Sequence, residues 1–411
     1  MIKKKIINDP IYGFITIPSD LIYEIISHPY FQRLRHIKQL GLTHYVYPGA
    51  LHTRFQHALG AMHLMGKVLD HLRLKGIDIS NEEYEASQIA ILLHDIGHGP
   101  FSHTLENILL SGVNHESLSY LFINRLNESL NGALTLTLQF FRNSYPRKFF
   151  HQLISSQLDI DRLDYLKRDS FFTGVHEGTI GVDRIIAMLT VNNDELLVEE
   201  KGIYSIENFL NARRLMYWQV YLHKTSVSAE RMLVNIVRRA QYLVRAGEAL
   251  QASDSLLFFL QKHPTLHEFK EDEKSLSNFG SLDDNDIWGA LKSWQNHSDG
   301  ILSLLSRMLL ERRLFRVHLS LEPIKKTEIE TIRVGIMREY NVLRSETSYL
   351  FSHGVVSNEA YAEGHQINIL MRNGQPLDIA QASDLPNIKA ISKIVKKNYL
   401  CWPKNVSLLN S

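Results

Sequence analysis

Histidine and aspartate residues that could bind a metal ion occur in three separated segments of the chain. They are His57, the adjacent pair His94 and Asp95, and Asp161. Two imidazoles and two carboxylates form a mixed nitrogen and oxygen ligand set, which suits Mn, Fe, Zn, Ni or Mg and leaves positions open for water and substrate. The residue types therefore indicate a hydrolytic metal site.

The second of these segments, HDIGHGPFSH at 94–103, contains more histidine than a helix end needs. A solvated helix C-terminus is stabilised by at most one imidazolium, whereas this segment also contains His98 and His103. The local density favours a chemical role. Each residue alone has an ordinary alternative: His57 could be a core histidine, and Asp161 could be an exposed helix aspartate paired with a neighbouring arginine.

Helices must position these residues. Apolar residues recur with helical spacing from about 20 to 245. The T-x-x-Q capping box at 53–56 begins a helix that carries His57 in its second turn. A second capping box at 80–83 begins a helix that carries His94 in its last turn, where glycine and proline residues end it.

A third helix is predicted over 149–169. Asp161, Tyr165 and Asp169 are spaced by four residues on it, so their side chains share one face. We interpret that face as the wall of a pocket. A short hairpin is expected around 190–204, before a further helical stretch.

The C-terminal part of the chain has a different pattern. Residues 271–286 are acidic and rich in turn formers, which predicts a surface loop. Asn-Gly stands between two alternating runs at 367–379, the signature of a β-hairpin. The basic stretch 387–404 predicts a terminal helix with a solvated lysine face, and we expect Tyr399 and Trp402 to pack onto the C-terminal lobe.

Composition narrows the class of protein. Hydrophobic residues make up 44% of the 411 residues and charged residues 22%, which is typical of a folded globular chain. The formal net charge of +1 gives no molecule-wide field for nucleic acid or a membrane. The single cysteine and the short apolar runs predict a cytoplasmic protein that spans no membrane. With 20 histidines against one cysteine, a metal site would use imidazole and carboxylate ligands.

The order H…HD…D resembles the HD-domain phosphohydrolase superfamily. Longer strings resemble the deoxynucleoside triphosphate triphosphohydrolases within it, namely the bacterial dGTPases and the animal SAM- and HD-domain dNTPase. The resemblance covers roughly residues 5–240 and is carried by FQRLRHIKQLG at 31–41, YPGALHTRFQHALG at 47–60, HDIGHGPFSH at 94–103, NHE at 114–116 and DIDRLDYLKRD at 159–169.

The resemblance implies a role for each matching position. The metal ligands are matched by His57, His94, Asp95 and Asp161. Active-site histidines are matched by His98, His103 and His115, the last two in acid–base work, with Glu116 as the carboxylate that orients His115. Phosphate contacts are matched by Arg54, Arg162, Tyr165 and Arg213, and contacts to the sugar and its 3′-OH by Gln39, Leu40, Asp169 and Tyr221. A regulatory nucleotide site is matched by Gln32, Arg35 and Arg312.

The implied reaction is attack of water on the α-phosphorus of a deoxynucleoside triphosphate, which gives a deoxynucleoside and tripolyphosphate. A divalent metal ion is the implied cofactor, and a homo-oligomer, dimer or tetramer, with an activating nucleotide is the implied assembly. Elementary chemistry agrees, because histidine can protonate a leaving 5′-oxygen near neutral pH and arginine pairs well with phosphate. Two positions depart from the animal pattern: Arg162 replaces a lysine, and Ser27 replaces a guanine-reading aspartate.

The implied fold is mainly α, an HD-domain helical bundle with a small C-terminal α+β lobe. We expect an HD phosphohydrolase core at 1–190 and a helical extension that completes the nucleotide pocket at 191–320. The α+β lobe is expected at 321–411.

Two other functions stay open on the sequence. One is an HD phosphohydrolase that acts on nucleoside monophosphates or cyclic nucleotides. Arg54, Arg162 and Tyr165 argue against it, because a monophosphate needs fewer cations. The other is a catalytically silent sensor that binds nucleotide or single-stranded nucleic acid, against which the intact ligand set argues. Arg213 has the further alternative of an ordinary solvated arginine.

Overall fold

The computed structural model describes residues 5–358, 366–385 and 395–406 of the protein, and helices dominate these ranges. The helices of the first half are α1 (Asp20–Ser27), α2 (Pro29–Gln32), α3 (Arg54–Leu74), α4 (Asn81–Leu93), α5 (His103–Leu109), α6 (His115–Ser129), α7 (Thr135–Phe141), α8 (Phe149–Ile154), α9 (Ile160–Thr173) and α10 (Val182–Met188). Those that follow are α11 (Ile203–Met216), α12 (Lys224–Arg245), α13 (Asp254–Gln261), α14 (Leu266–Glu271), α15 (Glu273–Ser281), α16 (Asp284–Trp294), α17 (Gly300–Leu310), α18 (Lys326–Tyr340) and α19 (Ile379–Ala382). The predicted mainly α fold with a small α+β lobe is confirmed.

Small sheets accompany the helices. The strands in the described ranges are β1 (Ile6–Asp9), β2 (Gly13–Thr16), β3 (Leu189–Asn192), β4 (Glu195–Glu199), β5 (Arg316–Ser320), β6 (Ser352–Asn358), β7 (Asn368–Leu370), β8 (Pro376–Asp378) and β9 (Val395–Trp402). β1 and β2 form a hairpin, β3-β4-β7-β8 form a second sheet, and β5-β9-β6 form a third. Within the described ranges, no helix combines the length and the apolar character that a membrane crossing requires.

Helix α3 is the central element, packed against α4 and α9. The capping box predicted at its start is confirmed, since Gln56 Oε1 accepts a hydrogen bond of 2.9 Å from the Thr53 main-chain N–H. A side chain at Gly60 is excluded, because its Cβ would lie 2.2 Å from Asp164 Oδ1 of α9. This glycine therefore lets α9 approach the helix that carries His57.

The turn after α4 has a strained backbone. His94 caps α4, whose predicted capping box at 80–83 is also confirmed. Phe101 and Ser102 have φ values of 51° and 46°, in the left-handed region that side chains rarely adopt. The main-chain N–H of Phe101 donates to Asp284 Oδ1 at 2.8 Å, which helps to hold this conformation.

The surface loop predicted at 271–286 is wrong, because α15 and the start of α16 occupy this range. The acidic residues that indicated turns are helix caps, with Asp272 at the N-cap of α15 and Asp283 at that of α16. The range also supports the turn after α4, since buried Arg33 donates to the carbonyl oxygens of both His98 and Leu282.

The single helix predicted at 149–169 is also wrong, because it is divided into α8 and α9. Asp159 ends the intervening segment as the N-cap of α9 and accepts a hydrogen bond of 2.8 Å from the Arg162 main-chain N–H. Asp161, Tyr165 and Asp169 all lie on α9, so the predicted common face persists.

The hairpins predicted around 190–204 and 367–379 are confirmed as β3-β4 and β7-β8. Strand β7 pairs in parallel with β4, so this sheet joins strands from both sides of the boundary at 320, and β3 crosses the boundary at 190. Both boundaries stay predictions. The terminal helix is wrong from residue 395, where β9 runs between β5 and β6; residues 387–394 lie outside the described residues. Tyr399 and Trp402 are buried, as expected.

Candidate metal centre and active site

Three of the four residues proposed as metal ligands, His57, His94 and Asp161, have ligand atoms within 4.8 Å of one another, and Asp95 lies beside them. His57 Nε2 lies 3.1 Å from Asp161 Oδ1 and 3.4 Å from His94 Nε2. His94 Nε2 lies 3.3 Å from Asp161 Oδ1 and 3.3 Å from Asp95 Oδ1. Neighbouring ligands around an octahedral ion with bonds of about 2.1 Å are separated by about 3 Å, so these spacings suit a single divalent cation.

Outer contacts aim the two histidines. His57 Nδ1 lies 2.8 Å from Asp164 Oδ2, and Arg168 holds the same carboxylate through hydrogen bonds of 2.8 and 3.0 Å. His94 Nδ1 lies 2.6 Å from the main-chain carbonyl oxygen three residues earlier. Because both Nδ1 atoms are occupied, both Nε2 atoms can bind a metal ion. The role of Asp164 was missed in the sequence, where only its spacing from Asp161 and Arg168 could have indicated it.

Neighbouring positive groups lower the pKa values of the two carboxylates proposed as ligands. Burial would raise the pKa of Asp161, but the imidazoles of His57 and His94 lower that pKa below its ordinary value. Burial would also raise the pKa of Asp95, yet His94 and Arg54 lower it further than burial raises it. Both carboxylates are therefore ionised and available to a cation at neutral pH.

Arg54 fixes one side of the centre. Its guanidinium pairs with the Asp95 carboxylate and donates from Nε and Nη2 to Ser102 Oγ at 2.9 and 2.7 Å. Arg54 is buried at the start of α3, so one helix presents both a cation and the ligand His57. The guanidinium also ties the strained turn to the metal centre.

A second cluster contains the three histidines proposed for catalysis. The rings of His98 and His115 are stacked with centroids 3.9 Å apart, and His103 lies edge-on to both at 5.0 and 5.1 Å. Glu106 Oε2 lies 3.2 Å from His115 Nδ1 and 3.5 Å from His103 Nδ1. Burial would raise the pKa of Glu106, but the two imidazoles lower it below its ordinary value.

The predicted pairing of Glu116 with His115 is corrected by this geometry. Glu116 is exposed on α6, and among the described residues no hydrogen bond or ion pair joins it to His115. Glu106 also accepts a hydrogen bond of 3.1 Å from the His115 main-chain N–H. Successive helix residues point about 100° apart, so adjacency in sequence placed the wrong carboxylate beside the imidazole.

Two histidines of the second cluster differ in their surroundings. His98 is buried, and burial together with the nearby Arg54 keeps its pKa well below the ordinary value, so it is neutral. Its Nδ1 is buried and has no hydrogen-bond partner among the described residues. The His103 side chain is 71% exposed, which gives this member of the cluster direct proton exchange with solvent.

Two of the proposed ligands, Asp95 and Asp161, and the three clustered histidines line one cavity of about 480 Å³. The predicted site residues in its wall are Gln39, Leu40, Arg54, Asp95, His98, His103, His115, Asp161, Tyr165, Asp169 and Tyr221. Side chains that the sequence did not indicate also line it: Thr43, Phe101, Ser102, Thr104, Tyr217, Leu222, Glu230 and Arg231.

Asp169 is held by a pair of hydrogen-bonding neighbours. The Tyr221 hydroxyl donates to Asp169 Oδ2 at 2.8 Å, and His52 Nε2 lies 2.7 Å from Asp169 Oδ1. The His52 ring in turn stacks on Phe172 with centroids 4.6 Å apart. His52 was not predicted as a site residue, and its only sequence signal is its place in the histidine-rich first part of the chain.

Two arginines predicted to contact phosphate are not in the cavity wall. Arg162 pairs with the Asp159 carboxylate, and Arg213 Nη1 donates to Gln157 Oε1 at 2.8 Å. Neither residue is among those that line the cavity. Each guanidinium contacts a polar side chain beside the cavity, and the phosphate contacts of both arginines stay predictions.

The three residues proposed to bind a regulatory nucleotide make two separate sets of contacts. Arg35 Nε donates to Gln32 Oε1 at 2.8 Å, and its guanidinium lies 3.6 Å from the Phe55 ring centroid. Arg312 donates to the Tyr45 carbonyl oxygen at 3.0 and 2.8 Å. No described contact joins Arg312 to the other two, so the regulatory site stays a prediction.

Comparison with known proteins identifies the family. The family model for the HD domain matches residues 54–169, and that for the HD associated region matches residues 180–255. A phosphohydrolase of known structure from Bacteroides thetaiotaomicron is 52% identical, with a TM-score of 0.94 over 97% of this chain and 100% of that chain. The chain belongs to the HD-domain family. The matched HD domain begins at Arg54 and ends at Asp169, so it contains all four proposed ligands.

Two curated relatives extend the comparison. The uncharacterised protein YwfO of Bacillus subtilis is 29% identical over 98% of this chain and 93% of its own length. A protein of Dictyostelium discoideum named as a deoxynucleoside triphosphate triphosphohydrolase SAMHD1 homolog is 28% identical over 84% of this chain and 74% of its own length. HD-domain proteins are metal-dependent hydrolases, and the convergent His and Asp side chains fit that cofactor.

Proposed function

We propose that the protein is a metal-dependent deoxynucleoside triphosphate triphosphohydrolase that converts a dNTP to a deoxynucleoside and tripolyphosphate. One observation carries the proposal: the proposed ligands Asp95 and Asp161, the three clustered histidines and the pair Asp169 and Tyr221 line the same cavity. That combination offers a Lewis acid, proton donors and a sugar-binding group to one ligand. The name of the Dictyostelium relative supports the same substrate class.

The chemistry requires a bond from water to the α-phosphorus and cleavage of the bond from that phosphorus to the 5′-oxygen. A divalent ion held by His57, His94, Asp95 and Asp161 would supply Lewis-acid polarisation of the phosphoryl group and a more acidic bound water. His103 and His115 can give a proton to the leaving 5′-oxygen, and Glu106 orients both imidazoles. The neutral His98 can donate a hydrogen bond to a phosphate oxygen without adding charge.

The triphosphate must be bound with few unpaired cations. In the cavity wall, the Arg54 guanidinium already pairs with the Asp95 carboxylate. A phosphate oxygen bound beside Arg54 would add a second negative group to this ion pair. The histidine cluster supplies further donors beside the metal centre. We further propose that the enzyme is a homo-oligomer activated by a nucleotide and is cytoplasmic, as the sequence resemblance and composition predict.

Product analysis tests this function. The purified protein is incubated with Mn²⁺ or Mg²⁺ and each of the four dNTPs, with and without GTP, and also with nucleoside monophosphates and cyclic nucleotides. The expected products are deoxynucleoside and tripolyphosphate, separated by anion exchange. Release of monophosphate and pyrophosphate, or turnover of only monophosphates or cyclic nucleotides, would refute the proposal.

A matched pair of variants makes this test specific to the metal centre. Asp161→Ala removes a proposed ligand and should abolish turnover. Asp183→Ala removes an aspartate on α10 whose side chain is 73% exposed and pairs only with Lys67 among the described residues, so turnover should stay within about twofold of the parent. Equal activity of the two variants would contradict the assigned centre.

A further inference from the structure

A buried carboxylate at the start of α16 joins two segments of the cavity wall from behind. Asp284 is 2% exposed and is not among the residues that line the cavity. Its Oδ1 accepts a hydrogen bond of 2.8 Å from the Phe101 main-chain N–H, and its Oδ2 accepts one of 3.0 Å from the Lys38 main-chain N–H. Each oxygen of one carboxylate therefore holds a separate segment of main chain.

The first of these segments, 37–40, carries two of the residues proposed to contact the sugar. Gln39 and Leu40 directly follow Lys38, and both line the cavity. The Gln39 main-chain N–H donates to the His52 carbonyl oxygen at 3.0 Å, so the segment is also joined to the residues before α3. A shift of Lys38 would move both cavity residues with it.

The second segment is the strained turn after α4, which leads into α5. Phe101 and Ser102 both have positive φ values, a conformation that persists in non-glycine residues only where surrounding contacts hold it. Trp288, one turn after Asp284 in α16, packs edge-on against the Phe101 ring with centroids 5.7 Å apart. The start of α16 thus contacts both the main chain and a side chain of this turn.

Asp284 is ionised at neutral pH. Burial raises the pKa of Asp284 to about 6, while the main-chain N–H groups of Lys38 and Phe101 act in the opposite direction. An ionised carboxylate has two acceptor oxygens and no donor, so it can satisfy both N–H groups together. Hydrogen bonds to a charged acceptor are stronger than those to a neutral one, so a neutral replacement would weaken both contacts.

We infer that Asp284 is a positioning residue that fixes the distance between segment 37–40 and the turn that leads to His103. This inference rests on the proposed function, in which Gln39 and Leu40 contact the sugar and His103 gives a proton to the leaving 5′-oxygen. The sugar carries that oxygen, so a change in the distance between the two segments would separate the oxygen from its proton donor. A displacement of about 1 Å can lower a rate by about 10²-fold.

Steady-state kinetics on the preferred dNTP test the inference with two variants. Asp284→Asn keeps one acceptor oxygen and places an NH₂ group against the other main-chain N–H, whereas Asp284→Ala removes both acceptors. We expect Asp284→Asn to lower kcat by about tenfold and to raise KM by about threefold to tenfold, and Asp284→Ala to change both further. Loss of folded protein alone would lower kcat and leave KM unchanged, so the change in KM distinguishes positioning from stability.

A double-variant cycle locates the effect on KM. Gln39→Ala removes one proposed contact to the sugar. If Asp284 acts on binding through segment 37–40, Asp284→Asn should raise KM by a smaller factor in the Gln39→Ala protein than in the parent. Equal factors in both proteins would overturn the link between Asp284 and this segment.

Asp286→Ala is the matched control on the same turn of α16. Asp286 Oδ2 accepts a hydrogen bond of 2.8 Å from the Asp283 main-chain N–H, and in the described part of the chain no hydrogen bond or ion pair joins Asp286 to segment 37–40 or to the turn after α4. This variant should lower the melting temperature while kcat and KM stay within about twofold of the parent.

The outcomes separate the inference from the proposed function. If the parent hydrolyses dNTPs and Asp284→Asn changes kcat and KM no more than Asp286→Ala does, the positioning role is overturned. A fall in kcat with unchanged KM in both Asp284 variants would overturn it as well. Absence of dNTP hydrolysis by the parent and by Asp286→Ala would instead overturn the proposed function, and this inference with it.

Discussion

Glu106 Oε2 lies 3.2 Å from His115 Nδ1, and Glu106 Oε1 accepts a hydrogen bond of 3.1 Å from the main-chain N–H of the same histidine. One carboxylate thus fixes both the ring and the backbone of His115. Glu106 is a positioning residue in this arrangement, because it lies behind the imidazole that faces the cavity. The relationship ties the first turn of α6 to α5 and gives the histidine cluster a defined orientation.

Replacement of Glu106 should therefore affect the chemical step more than substrate binding. We expect Glu106→Gln to lower kcat by about 10²-fold with KM changed by less than about threefold, because a misplaced proton donor mainly affects the transition state. Steady-state kinetics on the preferred dNTP measure both quantities. Glu106→Asp, which keeps the charge, should recover part of the lost kcat.

Glu116→Gln is the matched control for this prediction. Glu116 is exposed on α6 and has no described contact with His115, so kcat should stay within about twofold of the parent value. A larger loss for Glu116→Gln than for Glu106→Gln would show that the sequence-based assignment was right after all.

Asp164 should control metal affinity without touching the metal ion. Asp164→Asn weakens the hydrogen bond to His57 Nδ1 and leaves buried Arg168 with one less anionic partner. We expect divalent-metal affinity to fall by about 10-fold to 100-fold, measured by calorimetric titration of metal-depleted protein. Asp183→Asn serves as the control. If folded Asp164→Asn binds the metal ion with unchanged affinity, the contact from Asp164 to His57 does not orient this ligand.

The pair Asp169 and Tyr221 should determine recognition of the 3′-OH. Burial, with the facing Asp169 carboxylate next in effect, raises the pKa of Tyr221 well above its ordinary value, so the hydroxyl keeps its proton and orients that carboxylate. We expect the parent to prefer dGTP over 2′,3′-dideoxy-GTP by about tenfold or more in kcat/KM. Asp169→Asn should remove most of this ratio and Tyr221→Phe a smaller part. A parent ratio near one would exclude the 3′-OH contact.

Acid should weaken the capping box that begins α4. Burial would raise the pKa of Glu83, but hydrogen bonds from the Ser80 main-chain N–H, Tyr145 and Arg147 lower that pKa below its ordinary value. Because the folded-state pKa is lower than the unfolded one, this stabilisation is full above the unfolded value near 4.3 and is lost as the pH falls through the folded value.

The corresponding variant is Glu83→Gln. It should lower the free energy of unfolding by about 2 kcal/mol at pH 7, and the difference from the parent should shrink as the pH falls below about 4. Urea unfolding at several pH values measures it, with Glu85→Gln as a control on the same helix. A difference that is constant with pH would show that the ionised carboxylate is not the stabilising form.

Local sequence signals predicted the parts of the site that depend on one helix. The capping boxes fixed the starts of α3 and α4, and the spacing of Asp161, Tyr165 and Asp169 gave their common face on α9. These features need only helical geometry, which the order of residues specifies.

Contacts between helices could not be predicted in the same way. Asp164 reaches His57 only because Gly60 lets α3 and α9 approach closely. The terminal strand β9 depends on partners in β5 and β6, which are distant in sequence. In each case a tertiary contact overrides the local pattern.

The fate of the oxygen atom of water tests the central claim most directly. Hydrolysis of the preferred dNTP in ¹⁸O-labelled water, followed by mass spectrometry of both products, locates the bond that forms. Attack at the α-phosphorus predicts one ¹⁸O atom in tripolyphosphate and none in the deoxynucleoside. Label in the deoxynucleoside, or in a monophosphate or pyrophosphate product, would contradict the account.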